Sequence, residues 1–230
     1  MEVACESAVE TLTDGRERRR EHRQVTVMRV GLIHGPDGKQ FCLIRNLSSD
    51  GLMARVYRRF QPGEALGVEL KGGHFLGGEV VWSRGYEIGV QLRARIDLAD
   101  ALSAGWAAED GKRPRLPRLN LNCPATVREG AQLSPVRVRD ISPRGARVEL
   151  RSSLASGTQI VLTLPDLAPI HGVVRWARDG EAGLLFNESL PLEMLARWID
   201  ERRNLPSDRT YFPKQPRSFP EGRMRAVSTV

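Results

Sequence analysis

Long hydrophobic runs are missing from this chain of 230 residues: no stretch approaches the roughly 18 consecutive apolar residues that a membrane-spanning helix needs. The opening text MEVACESAVETLTDG has no basic start and no apolar middle, so no secretory signal is expected and the chain reads as cytoplasmic. Cysteine is scarce. Cys5, Cys42 and Cys123 are too few and too scattered for a disulfide framework or a zinc site. Cys42 and Cys123 stand in strand-like text and are expected to be buried free thiols. Catalytic motifs are missing as well: there is no GxxxxGK followed by Ser or Thr, no HExxH, no GxSxG and no CxxC. The four histidines (His22, His34, His74, His171) are isolated from one another and from suitably spaced carboxylates. No enzyme, no metal and no cofactor is therefore expected. Aromatic residues make up only 6%, which weighs against a nucleic-acid surface built on stacking platforms.

Lysine is rare too: four of the 35 basic residues, leaving 31 arginines and a net charge of +7. Codon bias in a GC-rich genome gives such an imbalance with no functional meaning. The other reading is that arginine's planar fork suits bidentate contact with phosphate and guanine. Position separates the two, because the arginines cluster: five fall within Arg16-Glu-Arg18-Arg19-Arg20-Glu-His22-Arg23.

The chain repeats itself at an offset of 94 residues. Asn46-Leu-Ser48-Ser-Asp-Gly51 matches Asp140-Ile-Ser142-Pro-Arg-Gly145, and Trp82, Arg84 and Gly89 match Trp176, Arg178 and Gly183 without a gap. Each copy reads as short strands bounded by Gly, Pro and Asp. The first has candidates at 25–33, 39–45, 52–57, 64–70, 75–83 and 86–92; the second at 122–129, 134–139, 146–151, 158–164, 170–177 and 181–187. The spacing fits antiparallel hairpins and leaves no room for helical crossovers, so an all-β barrel or sandwich is expected. Each copy ends in a candidate helix. Asp97 caps the first, with Leu98, Leu102 and Trp106 at helical spacing. Leu192, Leu195, Trp198 and Ile199 form an apolar stripe on the second, either a face for a partner or a cover for an open barrel end. The glycines of 72–78 lack the Lys-Ser/Thr and the helix of a phosphate loop and read as a hairpin tip. The expected organisation is a flexible segment over 1–15, one domain over 16–108, a second over 109–205, and a disordered basic tail over 206–230.

The arginine cluster stands just before the first strand, and Asn46-Leu-Ser48-Ser-Asp-Gly51 follows at a strand–turn–strand position. Arg19 and Arg23 match RxxxR; Asn46, Ser48 and Gly51 match (D/N)xSxxG. In order and spacing this resembles the PilZ domain family, over essentially residues 16–205 in two tandem copies. The resemblance implies two six-stranded antiparallel β-barrels, each with a C-terminal helix, and a non-enzymatic bacterial receptor for cyclic di-GMP. It implies a ligand site of Arg19, Arg20, Arg23, Asn46, Ser48 and Gly51. A second candidate site is Arg115, Arg118, Asp140, Ser142 and Gly145, but its arginine text departs from the pattern, since four residues before Arg118 stands Pro114.

Chemistry runs the same way. The O6 and N7 edge of guanine accepts two parallel hydrogen bonds from a guanidinium. Its N1–H and N2–H edge donates to an amide or carboxylate oxygen, as Asn46 or Asp140 offers. The Ser48 hydroxyl has a proton for a phosphate, and Gly51 permits positive φ and close approach. Five arginines in one short leader repel each other when empty, and a dianionic ligand relieves that repulsion and draws the leader onto the barrel. Two other readings stay open: a basic barrel that binds nucleic acid, and a PilZ-fold adaptor that docks motility, secretion or polysaccharide machinery without ligand.

Overall fold

The computed structural model describes residues 25–103, 116–150 and 154–203. Arg19, Arg20, Arg23, Arg115, Cys5 and Trp106 lie outside these residues, as do the two terminal segments. All twelve expected strands are present. In the first copy they are β1 (Val25–Gly35), β2 (Gly38–Leu47), β3 (Gly51–Arg55), β4 (Ala65–Glu69), β5 (Phe75–Arg84) and β6 (Glu87–Leu92), followed by α1 (Leu98–Ser103). The second copy has β7 (Leu119–Glu129), β8 (Gln132–Ser142), β9 (Gly145–Leu150), β10 (Gln159–Thr163), β11 (Ile170–Arg178), β12 (Glu181–Phe186) and α2 (Leu192–Arg203). Each set closes into an antiparallel barrel, in the order β1-β2-β3-β6-β5-β4 and its equivalent. Closure leaves no unpaired sheet edge.

Two strands keep a proline inside their expected limits. Pro124 and Pro135 argue against strand because proline has no N–H for a ladder. Here Pro124 lies outside the stretch where β7 pairs with β10 (Thr126–Arg128). Pro135 lies ahead of Val136, where β8 starts to pair with β9. Both prolines stand in the β7–β8 ladder, opposite Arg137 and Thr126. Gly72 and Gly73, at φ 86° and 85°, form the tip of the β4–β5 hairpin, whereas Gly77 and Gly78 lie within β5, opposite Gly67 and Leu66. Asp97 caps α1 through Oδ1, which accepts from the Ala99 N–H at 2.7 Å.

Alternation along the strands fills each barrel with aliphatic side chains, Ile33, Ile44, Val68, Val80 and Ile88 in the first and Val127, Val138, Val148, Leu162 and Leu184 in the second. Leu32 and Phe41 break the pattern. They face each other across β1 and β2. Both are fully buried, yet they belong to the cluster of the second barrel, with Leu195, Ala196, Trp198 and Ile199 of α2. The apolar stripe of α2 is therefore spent inside the chain, on its own barrel and on the flank of the other. Burial of one such side chain contributes about 1.5–3 kcal/mol. Arg55–Glu193 (3.5 Å) and Arg58–Asp200 (3.3 Å) frame this contact, and Arg203 donates to the Lys39 carbonyl. Burial, then repulsion from Arg58, pushes the Arg203 guanidinium down to about 10. At its other face Trp198 Nε1 donates to the Pro165 carbonyl at 2.8 Å, and Arg202 stacks on the indole at 4.4 Å.

Candidate functional site

Asn46 owes its position to a bulge. Ile44 and Leu47 both point into the first barrel, although strict alternation would pair Ile44 with Asn46 on the inner face. The register of β2 against β3 shifts between Ile44 and Asn46, so Arg45 is the extra residue and Asn46 leaves the core. The second barrel repeats the device, with Val138 and Ile141 inside and a shift between Val138 and Asp140. A further shift between Val80 and Trp82 in β5 brings Val81 and Trp82 outward.

Ser48 and Gly51 build the turn between β2 and β3. The Gly51 N–H donates to Ser48 Oγ at 3.0 Å, the hydroxyl donates to the Gly51 carbonyl at 2.9 Å, and the Ser48 N–H donates to the same carbonyl at 2.8 Å. The serine proton is thus used within the turn. Gly51 also differs from expectation in one respect, because its φ is not positive. Close approach alone demands glycine there: a Cβ would sit 2.9 Å from the Val90 carbonyl oxygen of β6. At Gly145 the equivalent approach is 2.3 Å from the Leu184 carbonyl oxygen. Asp50 ties the turn down: its carbonyl accepts from the Leu92 N–H and Gln91 Nε2, each at 2.7 Å, and its carboxylate pairs with Arg95 at 2.9 Å.

Asn46, Ser48 and Gly51 line a single cleft of about 380 Å³, shared with Met53, Val81, Trp82 and Gln91. Sequence reasoning did not place Trp82 here. The signal was present, since Trp82-x6-Gly89 recurs as Trp176-x6-Gly183. The structure supplies the reason: each indole lies on its glycine, where a Cβ would stand 2.0 Å from the indole Nε1. Trp82 is 36% exposed and Val81 52%, which gives the cleft an apolar wall. The Arg84 guanidinium sits 6.0 Å from the Trp82 ring, and Arg178 sits 5.4 Å from Trp176.

The equivalent place in the second barrel is chemically different. Asp140 is only 6% exposed. Its Oδ1 accepts from Arg118 Nη1 at 2.6 Å and its Oδ2 from Arg147 Nε at 2.7 Å. Arg147 Nη1 extends the chain of charges to both oxygens of Glu181 at 3.1 Å. The hydrogen bond to Asp140, and after it the one to Glu181, raises the Arg147 pKa further above its ordinary range. Ser142 is buried and donates to the Gly145 carbonyl at 3.2 Å. So the structure brings Arg118, Asp140, Ser142 and Gly145 together.

Among the described residues no group of three or more His, Cys, Asp or Glu side chains is placed to hold a metal, and no helix is long and apolar enough to cross a membrane. Cys42 and Cys123 are free and buried. Burial pushes their thiols up to about 12 and about 11.

The family model described as the PilZ domain matches residues 17–104 and again 112–201. Comparison with the curated proteins gives no match. Similar solved structures include the PlzA protein of Borreliella burgdorferi in complex with c-di-GMP (13% identity, 79% of this chain and 96% of that one, TM-score 0.35). YcgR of Escherichia coli in complex with c-di-GMP is similar at 13% identity over 80% and 86%, TM-score 0.31. The K. pneumonia MrkH–c-di-GMP complex is similar at 12% identity over 82% and 92%, TM-score 0.30.

Proposed function

This chain belongs to the PilZ domain family, matched in both of its repeats, and from that premise we propose that it is a non-enzymatic cytoplasmic receptor that binds cyclic di-GMP at the first barrel. One observation carries the reading. In the second barrel Arg118, the residue just before β7, meets Asp140 at 2.6 Å. The residue at the threshold of the first strand therefore reaches the first residue of the (D/N)xSxxG turn in this fold; its counterpart in the first barrel is Gln24, directly after Arg23. In the first barrel Val25 opens β1 opposite Leu47, and Thr26 lies opposite Asn46. Arg23 is two residues upstream of Val25, within about 7 Å of chain. The sequence thus sets the arginine leader directly ahead of the strand that pairs with Asn46.

The cleft suits half of a cyclic dinucleotide. About 300–1,000 Å³ is usual for a small-molecule site, and this one measures about 380 Å³. Asn46 offers an amide oxygen to the N1–H and N2–H edge of a guanine, and the Trp82 indole offers a flat apolar wall. Arg19, Arg20 and Arg23 supply forked donors for the phosphates and for the O6/N7 edge. Ser48 and Gly51 serve by holding the turn that presents Asn46. Capture of the leader by a dianion cancels the repulsion among its five arginines. That ordering is the signal passed to a protein partner.

Calorimetric titration of the full chain with cyclic di-GMP tests this. Binding in the micromolar range or tighter is expected, weakened about 10- to 100-fold by Arg23→Ala, as loss of a charge-assisted hydrogen bond dictates. Excess single-stranded oligonucleotide should not displace the ligand. A folded sample that takes up no cyclic di-GMP refutes the reading, and displacement by oligonucleotide turns it toward nucleic acid.

A further inference from the structure

The two copies differ at their turns by a matched exchange. Asn46 and Met53 of the first barrel occupy the positions of Asp140 and Arg147 in the second. Met53 pairs opposite Asn46 across β2 and β3, as Arg147 pairs opposite Asp140 across β8 and β9. In one barrel both partners are neutral, and in the other both are charged and bonded. Even the next residue outward changes allegiance. Glu181 holds Arg147, whereas its counterpart Glu87 pairs with Arg45 at 2.9 Å.

A carboxylate with 9% of its side chain exposed needs counter-charge, and Asp140 has it on both oxygens. A guanidinium presents the same paired N–H donors as the N1–H and N2–H edge of guanine. Arg147 and Arg118 therefore already hold the acceptor atoms that a guanine would use. Entry of a nucleotide would have to displace an ion pair of 2.6 Å and another of 2.7 Å and leave two guanidinium groups to find new partners.

We infer that the second barrel's motif is an internal clasp: Asp140 binds the chain's own Arg118 and Arg147 in place of a ligand, so this barrel takes no nucleotide and instead fixes the residue that leads into β7. The first barrel, with Asn46 and Met53, must wait for an outside ligand to do the same. The clasp is a property of the charges themselves; only its consequence for stoichiometry rests on the reading of the first site given above.

Two measurements on the full chain test it. Calorimetry with cyclic di-GMP should give one ligand per chain, and two per chain overturns the inference. The second is a thermal-melting cycle over Asp140→Asn, Arg147→Met and the double variant, which installs the first barrel's own pair. Each single change should lower the melting temperature by about 5 °C, because Arg147→Met leaves the buried Asp140 with Arg118 alone and Asp140→Asn leaves Arg147 with Glu181 alone. The double variant should recover most of that loss. Strictly additive losses would show that Asp140 and Arg147 do not act on each other, and the clasp would fall. If the chain binds no ligand at all, the reading of the first site fails while the melting cycle still decides the clasp.

Discussion

Replacing Gly51 with alanine sets one methyl group against a carbonyl. The new Cβ would stand 2.9 Å from the Val90 oxygen, inside the closest approach that real side chains tolerate. That oxygen is backbone in the middle of β6, so no rotamer change relieves the contact; β3 and β6 must separate by several tenths of an ångström. Overpacking of this kind costs about 1–3 kcal/mol. For a barrel of this size each kcal/mol lowers the melting temperature by about 4–8 °C. A loss of about 4–24 °C is therefore expected for Gly51→Ala. The same movement disturbs the two hydrogen bonds between Gly51 and Ser48 Oγ that hold the turn, so affinity for cyclic di-GMP should fall with stability. Gly145→Ala meets a carbonyl at 2.3 Å and should cost more stability while leaving the affinity unchanged. Gly77→Ala meets only the Arg93 Cδ at 3.8 Å and should be nearly silent. Differential scanning calorimetry with and without ligand reads all three. A Gly51→Ala protein that melts like the wild type refutes the close-approach argument, and one that melts lower but binds unchanged refutes the link from turn to site.

Phe41→Ala removes a side chain buried between the barrels. A loss of about 3–5 kcal/mol is expected, and the calorimetric trace should split into two transitions as the barrels uncouple; a single, merely shifted transition would count against the contact. Thiol reagents at pH 8 should leave Cys42 and Cys123 unlabelled until denaturant is added, since burial holds both thiols protonated, at about 12 and about 11. Glu69 accepts a hydrogen bond from His34 at 2.9 Å, and that bond holds its carboxyl below the ordinary range. Its folded pKa lies below its unfolded one, so it contributes stability above about pH 4.3 that is lost as pH falls through the folded value. Glu69→Gln should therefore melt below the wild type near neutral pH, with the gap closing in acid; a gap independent of pH would contradict this.

Strands, turns and the repeat were legible because their signals are local. Alternation of aliphatic residues and Gly/Pro/Asp punctuation depend only on neighbours in the chain, and the 94-residue offset needs no structure to be seen. The turn at Asn46–Gly51 was legible for the same reason. Its bulge was legible only in part: two residues between Ile44 and Leu47 break the alternation, yet nothing local says which of them leaves the core. The role of Gly51 was misassigned in one detail, because φ is a local property but the Val90 carbonyl belongs to a strand 39 residues away.

From the residues alone came two all-β units, a basic leader ahead of the first, and an acceptor-bearing turn in each. Only the closed barrels decided what those turns face. Trp82 joins the Asn46 cleft because β5 and β3 both flank β6. Arg147 neutralises Asp140 because β9 returns beside β8 with the two residues in register. Leu32 and Phe41 look like ordinary outward strand residues until the second barrel and α2 cover them. Each of these is a contact between side chains far apart in the chain, set by strand order and barrel closure, and periodicity within a single strand carries no record of it.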